Sequence, residues 1–200
     1  MSNRIGLVNY GVAGNILSIK KALDRAGADS VIIDTCDLID SVDKLILPGV
    51  GSFPDAMKEL QIGGFLDPLT VAINEKPTLG ICLGMQILAK VGFEYGKTNG
   101  LGYFDAEVKP ILCDGAVPHM GFNKIRVQRD NVLLAGLDAE EFYFMHSFEV
   151  VNYRNILALT LYSGHEFVSA IAKDHVYGVQ FHPEKSRDVG IELFKNFVAL

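Results

Sequence analysis

Gly80-Ile81-Cys82-Leu83-Gly84-Met85-Gln86 sets a cysteine between two glycines, directly after the apolar run Pro77-Thr78-Leu79. A nucleophile at the apex of a strand-to-helix turn has strained backbone angles, and its neighbours must be small to avoid a clash. A helix that starts behind the sulfur turns its unpaired N–H groups and positive dipole end toward it, which favours thiolate over thiol. The competing reading is a buried cysteine in an ordinary strand–helix loop. What decides between them is whether the chain also supplies a base and a site for an oxyanion.

A second segment, Gly178-Val179-Gln180-Phe181-His182-Pro183-Glu184-Lys185-Ser186, ends an apolar strand on His182 and places Glu184 two residues on. An unperturbed thiol is only a few per cent ionised at neutral pH. An imidazole can take its proton and later return it to a leaving amine, and a carboxylate can orient that imidazole. A third segment, Leu47-Pro48-Gly49-Val50-Gly51-Ser52-Phe53, follows another apolar run. Its glycines permit unusual backbone angles, and its N–H groups can bind a developing oxyanion. Taken singly, the second segment reads as a strand-end turn and the third as a plain turn. Together with the cysteine, each at the C-terminal end of an expected strand, they point to a Cys-His-Glu acyl-transfer site.

The elements that must position these residues follow from periodicity. Ile5–Val8, Val31–Ile33, Leu45–Leu47 and Thr78–Ile81 read as buried strands. Ile16, Ile19, Lys20, Leu23 and Ala26 fall at helical spacing, with Gly27 as a stop. Residues 53–60 and 65–74 can form one or two helices, and Met85 to Val91 is expected to continue the helix after Cys82. Strand–helix alternation with short connections implies a parallel sheet covered by helices on both faces. The second half reads as strands at 108–112, 124–128, 142–145, 156–161, 167–172 and 176–180, taken as antiparallel additions to that sheet. Residues 188–200 read as a closing amphipathic helix. No repeat, low-complexity tract or linker interrupts the chain, so one domain over residues 1–200 is expected.

Composition excludes several alternatives. Eighteen basic against twenty-four acidic residues give a net charge of −6, which disfavours a general nucleic-acid or anionic-membrane surface. No segment approaches the roughly 20 apolar residues of a membrane span. Met1-Ser2-Asn3-Arg4 and the short apolar strand after it lack the pattern of a signal peptide. Three cysteines, Cys36, Cys82 and Cys113, at unrelated spacings fit neither a disulfide framework nor a zinc site. A reducing, cytoplasmic setting is expected.

These motifs, with Asn9-Tyr10-Gly11…Gly14-Asn15…Ser18, Pro118-His119-Met120-Gly121-Phe122-Asn123 and Phe142-Tyr143-Phe144-Met145-His146-Ser147, make the chain resemble the class I (triad) glutamine amidotransferases. Within them it is similar to the glutaminase subunits of imidazole glycerol phosphate synthases, over nearly its whole length. The resemblance implies a flavodoxin-like fold. It implies that Cys82 attacks the glutamine carboxamide to form a thioester, with His182 as base and acid and Glu184 as its orienter. It assigns the oxyanion to N–H groups of Gly49, Val50, Gly51 and Leu83. It assigns glutamine binding to Gln86, Glu94, His146, Ser147 and Phe148. It implies no cofactor and no metal. The implied partner is a (β/α)₈-barrel cyclase that receives ammonia through a channel and makes imidazole glycerol phosphate and an aminoimidazole carboxamide ribonucleotide in histidine biosynthesis. Asn15, Phe122, Tyr143 and Lys185 match positions near that interface.

Alternatives stay open at several of these positions. Gln86 can be solvated and Tyr143 can be core. His119 reads as a hydrogen-bonded structural histidine, and His146 as either that or a substrate contact. Phe122 stands where the subfamily usually has Trp, and the chain has no Trp. Asn9 replaces an Asp, and the loop from Asn9 to Asn15 is one residue longer than usual. Both changes bear on the acceptor of the ammonia. The alternative acceptor is a sugar-modifying enzyme of surface-polysaccharide synthesis. More distant readings are a stand-alone cysteine peptidase or γ-glutamyl hydrolase, and a silent scaffold.

Overall fold

The computed structural model describes residues 3–11 and 14–200. The chain runs β1 (Ile5–Val8), α1 (Ile16–Arg25), β2 (Ser30–Ile33), β3 (Lys44–Leu47), α2 (Phe53–Ile62), α3 (Leu66–Glu75), β4 (Thr78–Ile81) and α4 (Leu83–Ile87). It continues through β5 (Ala89–Gly92), β6 (Thr98–Asn99), β7 (Phe104–Pro110), β8 (His119–Lys124), β9 (Arg126–Val127), β10 (Glu141–His146) and β11 (Phe148–Val151). It closes with β12 (Ile156–Tyr162), β13 (His165–Lys173), β14 (Val176–Val179) and α5 (Arg187–Val198).

The main sheet has the order β2-β1-β3-β4-β14-β13-β12-β9, parallel from β2 to β14 and antiparallel beyond. Its central strands β1, β3, β4 and β14 are buried along their whole length, as expected of parallel strands covered on both faces. Alternation decides which side chain meets which layer. Ile5, Leu7, Ile46, Leu79 and Ile81 pack with Ile19 and Leu23 of α1 and Leu193, Phe194 and Phe197 of α5. Val8, Leu45 and Leu47 face Phe53, Leu60, Leu69 and Ile73 of α2 and α3. Lys44 is the one charge in these four strands. Its ammonium donates to the carbonyls of Phe197 and Val198 at the end of α5, where a cation offsets unpaired helix carbonyls.

Three expectations need correction. The helix after Cys82 ends at Ile87, and Ala89–Gly92 is a strand instead. It pairs with β7, Ala89 opposite Phe104 and Gly92 opposite Val108, and that ladder outweighs helical propensity over so short a span. The antiparallel strands do not all extend the main sheet. β14 is parallel to β4, β8 pairs with β10 alone among the described residues, and β11-β7-β5-β6 form a four-stranded sheet. The strand expected over 124–128 is reduced to Arg126–Val127, because Lys124 belongs to β8 and pairs with Glu141. Val12 and Ala13, where the opening loop was read as lengthened, lie outside the described residues.

Candidate active site

Cys82 joins β4 to α4 with φ 52° and ψ −108°, a conformation that costs a non-glycine residue on the order of 1–3 kcal/mol. Close packing imposes it. A Cβ on Gly84 would lie 1.8 Å from the Leu47 carbonyl oxygen, and one on Gly80 would lie 2.6 Å from that of Gly84. The expected reason for both glycines therefore holds. The Cys82 N–H donates to the Val179 carbonyl at 2.8 Å, so the elbow is tied directly to the strand that delivers the histidine.

His182 is fully buried, and its Nδ1 lies 2.8 Å from Glu184 Oε1. A carboxylate only accepts, so the proton is on Nδ1. The same oxygen accepts from Asn15 Nδ2 at 2.8 Å. The other ring nitrogen, Nε2, is buried and has no ordinary hydrogen bond among the described residues, yet the Cys82 sulfur is close enough to act on the ring electrostatically. Burial would lower the imidazolium's pKa. Cys82 and Glu184 outweigh that and raise it to about 10. The arrangement favours the imidazolium form of His182.

A cavity of about 200 Å³ opens on the sulfur, lined by Val50, Gly51, Cys82, Leu83, Gln86, Glu94, Pro118, Met145, His146, Ser147 and Phe148. Eight of the expected oxyanion and substrate residues thus meet in one space: Val50, Gly51, Leu83, Gln86, Glu94, His146, Ser147 and Phe148. Gly49 sits behind it, where a Cβ would meet Tyr10 Oη at 2.7 Å and Leu83 Cβ at 2.9 Å. Gly51 has φ 116°, which only glycine adopts readily. The Tyr10 hydroxyl donates to the Pro48 carbonyl and so fixes the start of this loop. Burial, then the charge of Cys82, hold the phenol far above its usual range.

Glu94 Oε2 accepts from the Phe53 N–H at 2.7 Å at the start of α2. Burial raises its carboxyl pKa against that hydrogen bond, and a cation in the cavity would reverse the effect. Gln86 is buried, not solvated, and its Nε2 donates to the Phe148 carbonyl and to Gln180 Oε1, both at 3.1 Å. His146 lines the cavity edge with both nitrogens engaged, Nδ1 on the Phe148 carbonyl and Nε2 on His119 Nδ1. His119 stacks on Tyr162, as its structural reading requires.

Phe122, Tyr143 and Lys185 come together on the surface. The two rings meet edge-on at 5.5 Å, Lys185 Nζ lies 5.7 Å from the Tyr143 ring, and the Arg187 guanidinium lies 4.4 Å from that of Phe122. The Tyr143 carbonyl accepts from the His182 N–H, so this patch abuts the base. Asn15 does not join it. Its side chain is buried against Glu184.

Sequence reasoning missed Gln180 and Ser186. Gln180 stands two residues before His182, just past the end of β14, a spacing that could have found it. Ser186 accepts from the Tyr143 N–H and donates to the His182 carbonyl. A larger open groove of about 870 Å³ follows the Val127–Asp138 turn, but the residues lining it include no nucleophile and no oriented base.

Residues 10–200 match the family model "Glutamine amidotransferase class-I". The chain is 41% identical to imidazole glycerol phosphate synthase subunit HisH 1 of Campylobacter jejuni (strain RM1221), over 98% of this chain and 100% of that one. It is 42% identical to subunit HisH 2 of Pseudomonas aeruginosa PAO1, over 98% and 99%. A crystal structure of a glutamine amidotransferase superposes with TM-score 0.77 at 20% identity, covering 98% of this chain and 99% of the other. That last likeness supports the open α/β architecture.

Proposed function

The chain belongs to the class I glutamine amidotransferase family, and from that premise we propose that it hydrolyses glutamine through a Cys82 thioester and passes the ammonia to a partner subunit. The observation that carries this reading is the burial of His182 and Glu184 beside Cys82 at the floor of a cavity holding Glu94 and Gln86. The cavity is below the usual volume of drug-sized sites and suits a small polar molecule.

In the proposed cycle the Cys82 thiolate attacks the side-chain carboxamide carbon, forming the C–S bond. The oxyanion is held by the N–H of Leu83 and those of the Gly49–Gly51 loop. Collapse breaks the C–N bond, and the His182 imidazolium gives its proton to the leaving nitrogen, which departs as ammonia. The neutral imidazole then takes a proton from water as the hydroxyl adds to the thioester. The C–S bond breaks, glutamate leaves, and the thiolate–imidazolium pair is restored. Glu94 receives the substrate ammonium. Gln86 has spent both N–H bonds, so it offers Oε1 to the ligand.

Ammonia is protonated in water and then no longer nucleophilic, so direct transfer is the physical requirement. The patch of Phe122, Tyr143, Lys185 and Arg187 beside His182 suits the docking face of a (β/α)₈-barrel cyclase. We infer a cytoplasmic heterodimer with lyase activity in histidine biosynthesis, and residues 1–200 as one amidotransferase domain; the relatives' names go as far as a synthase subunit. A second reading, ammonia delivery to a sugar-modifying acceptor, is favoured by Phe122 standing where the subfamily usually has Trp. Capture of the chain from its native cell, with identification of the co-purifying barrel protein, separates the two. With that partner bound, Cys82→Ala should abolish glutamate release; retained turnover would overturn the nucleophile assignment.

A further inference from the structure

Gln180 is completely buried at the end of β14, and the mechanism above does not use it. Its Nε2 lies 3.5 Å from the Cys82 sulfur, and its Oε1 accepts from Gln86 Nε2 at 3.1 Å. We propose that Gln180 is a catalytic residue: its amide N–H holds the Cys82 sulfur as a thiolate and ties it, through Gln86, to the wall of the substrate cavity. This rests on the glutaminase reading and adds a donor to it.

The orientation of the amide is forced by its neighbours. The Phe148 carbonyl can only accept, so the Gln86 atom facing it is the NH₂ group. That NH₂ also faces Gln180, so the Gln180 atom opposite must be the oxygen. The nitrogen is left pointing at the sulfur. A flipped Gln180 would set NH₂ against NH₂ on one side and oxygen against sulfur on the other.

The sulfur has a second neighbour of the opposite kind. The Met145 carbonyl oxygen lies 3.9 Å away, where a thiol S–H can donate to it. Gln180 stabilises the ionised sulfur, whereas Met145 O suits the protonated one. The charged or ionisable groups acting on the sulfur from other elements are His182 and Tyr10. A hydrogen bond to an ion is stronger than one to a neutral atom and strengthens further out of water. Gln180 therefore weights the balance toward the nucleophile. Because Gln86 holds Gln180 and also lines the cavity, a ligand that shifts Gln86 changes the donor on the sulfur.

The test uses the full chain with its co-purified partner, in a Cys36→Ser, Cys113→Ser background, with iodoacetamide alkylation of Cys82 followed on its own peptide by mass spectrometry. Gln180→Leu should slow alkylation about tenfold at pH values below the parent midpoint, the effect of losing one hydrogen bond to a charged group. It should also move the pH midpoint of alkylation up by about one unit. Gln180→Glu should move it further the same way. Glutaminase kcat should fall in parallel while KM changes less than about threefold. If Gln180→Leu fails to fold, Gln86→Leu, which frees Gln180 to turn, should give a smaller shift in the same direction. An unchanged alkylation profile in a folded variant of either kind overturns the proposal. Turnover surviving Cys82→Ala would instead sink the glutaminase reading, so the two failures are distinguishable.

Discussion

Asn15 and His182 donate to the same oxygen of Glu184, each at 2.8 Å, from elements at opposite ends of the chain. Asn15 closes the loop before α1, and His182 ends the strand β14 region. The carboxylate between them is buried, and among the described residues it is held on one oxygen, its Oε2 having no partner there. Its direction therefore depends on these two donors, and Asn15 is outside the proposed triad.

Asn15→Ala should lower glutaminase kcat about tenfold with little change in KM, since a donor to a charged group is lost without touching the cavity. Asn15→Asp should do worse, because it sets a second carboxylate against Glu184 in a buried site. Steady-state kinetics of the partner complex measure both.

Glu184→Gln should reduce kcat at least about a hundredfold, by analogy with loss of the orienting carboxylate in other triads. It also removes one of the groups that hold the His182 imidazolium up to about 10. The fall of kcat at high pH should then move to lower pH in the variant. The sign for stability is fixed by the same shift. The protonated His182 stabilises the fold fully below its unfolded value near 6.5, and that contribution is lost as pH rises through about 10.

The paired imidazoles of His119 and His146 behave oppositely. Burial, foremost, lowers both to about 4. In the unfolded chain they take up protons near pH 6.5, but in the fold they resist until near 4. Stability should be complete above pH 6.5 and fall as pH drops toward 4, by about 1–2 kcal/mol per imidazole at pH 5. Urea midpoints at pH 7.5 and pH 5 should differ less in His119→Gln than in the parent chain.

Gly84→Ala should destabilise the fold by about 3 kcal/mol or more, since its Cβ would collide with the Leu47 carbonyl at 1.8 Å and neither backbone can give. Urea unfolding measures the loss.

Tyr10→Phe removes the hydroxyl that holds the Pro48 carbonyl. It should lower kcat by about tenfold through a looser Gly49–Gly51 loop, the proposed holder of the oxyanion, with a stability loss of only about 1 kcal/mol. A variant as fast as the parent would show that the loop needs no such anchor.

The sequence carried the parallel half of the fold plainly, because strands buried on both faces, such as Leu45–Leu47 and Thr78–Ile81, read as unbroken apolar runs. It carried the positions of Cys82, His182 and Glu184 for the same reason, each lying at or just beyond the end of such a run. The antiparallel half was less legible. Ala89–Gly92 is too short to show a period, and it is a strand only because β7 lies beside it. His119–Lys124 alternates, but its partner β10 comes some twenty residues later. The resemblance matches Asn15 to the partner interface, and nothing local shows that its side chain turns inward to Glu184. The hydrogen bonds of Gln180 were invisible for a related reason: their partners stand almost a hundred residues upstream.

The register of β4 against β14, with Ile81 opposite Val179 and the Cys82 N–H on the Val179 carbonyl, sets the span between nucleophile and base by backbone geometry alone. The chain between them enters that span only through β14 itself and at Tyr143, whose carbonyl accepts from the His182 N–H. It can lengthen, shorten or be exchanged at an exposed turn such as Cys113–Gly115 while the reacting pair keeps its place. An architecture of this kind can acquire new docking surfaces without renegotiating its chemistry. An insertion of several glycines and serines after Asp114 should leave the reactivity of Cys82 toward iodoacetamide unchanged.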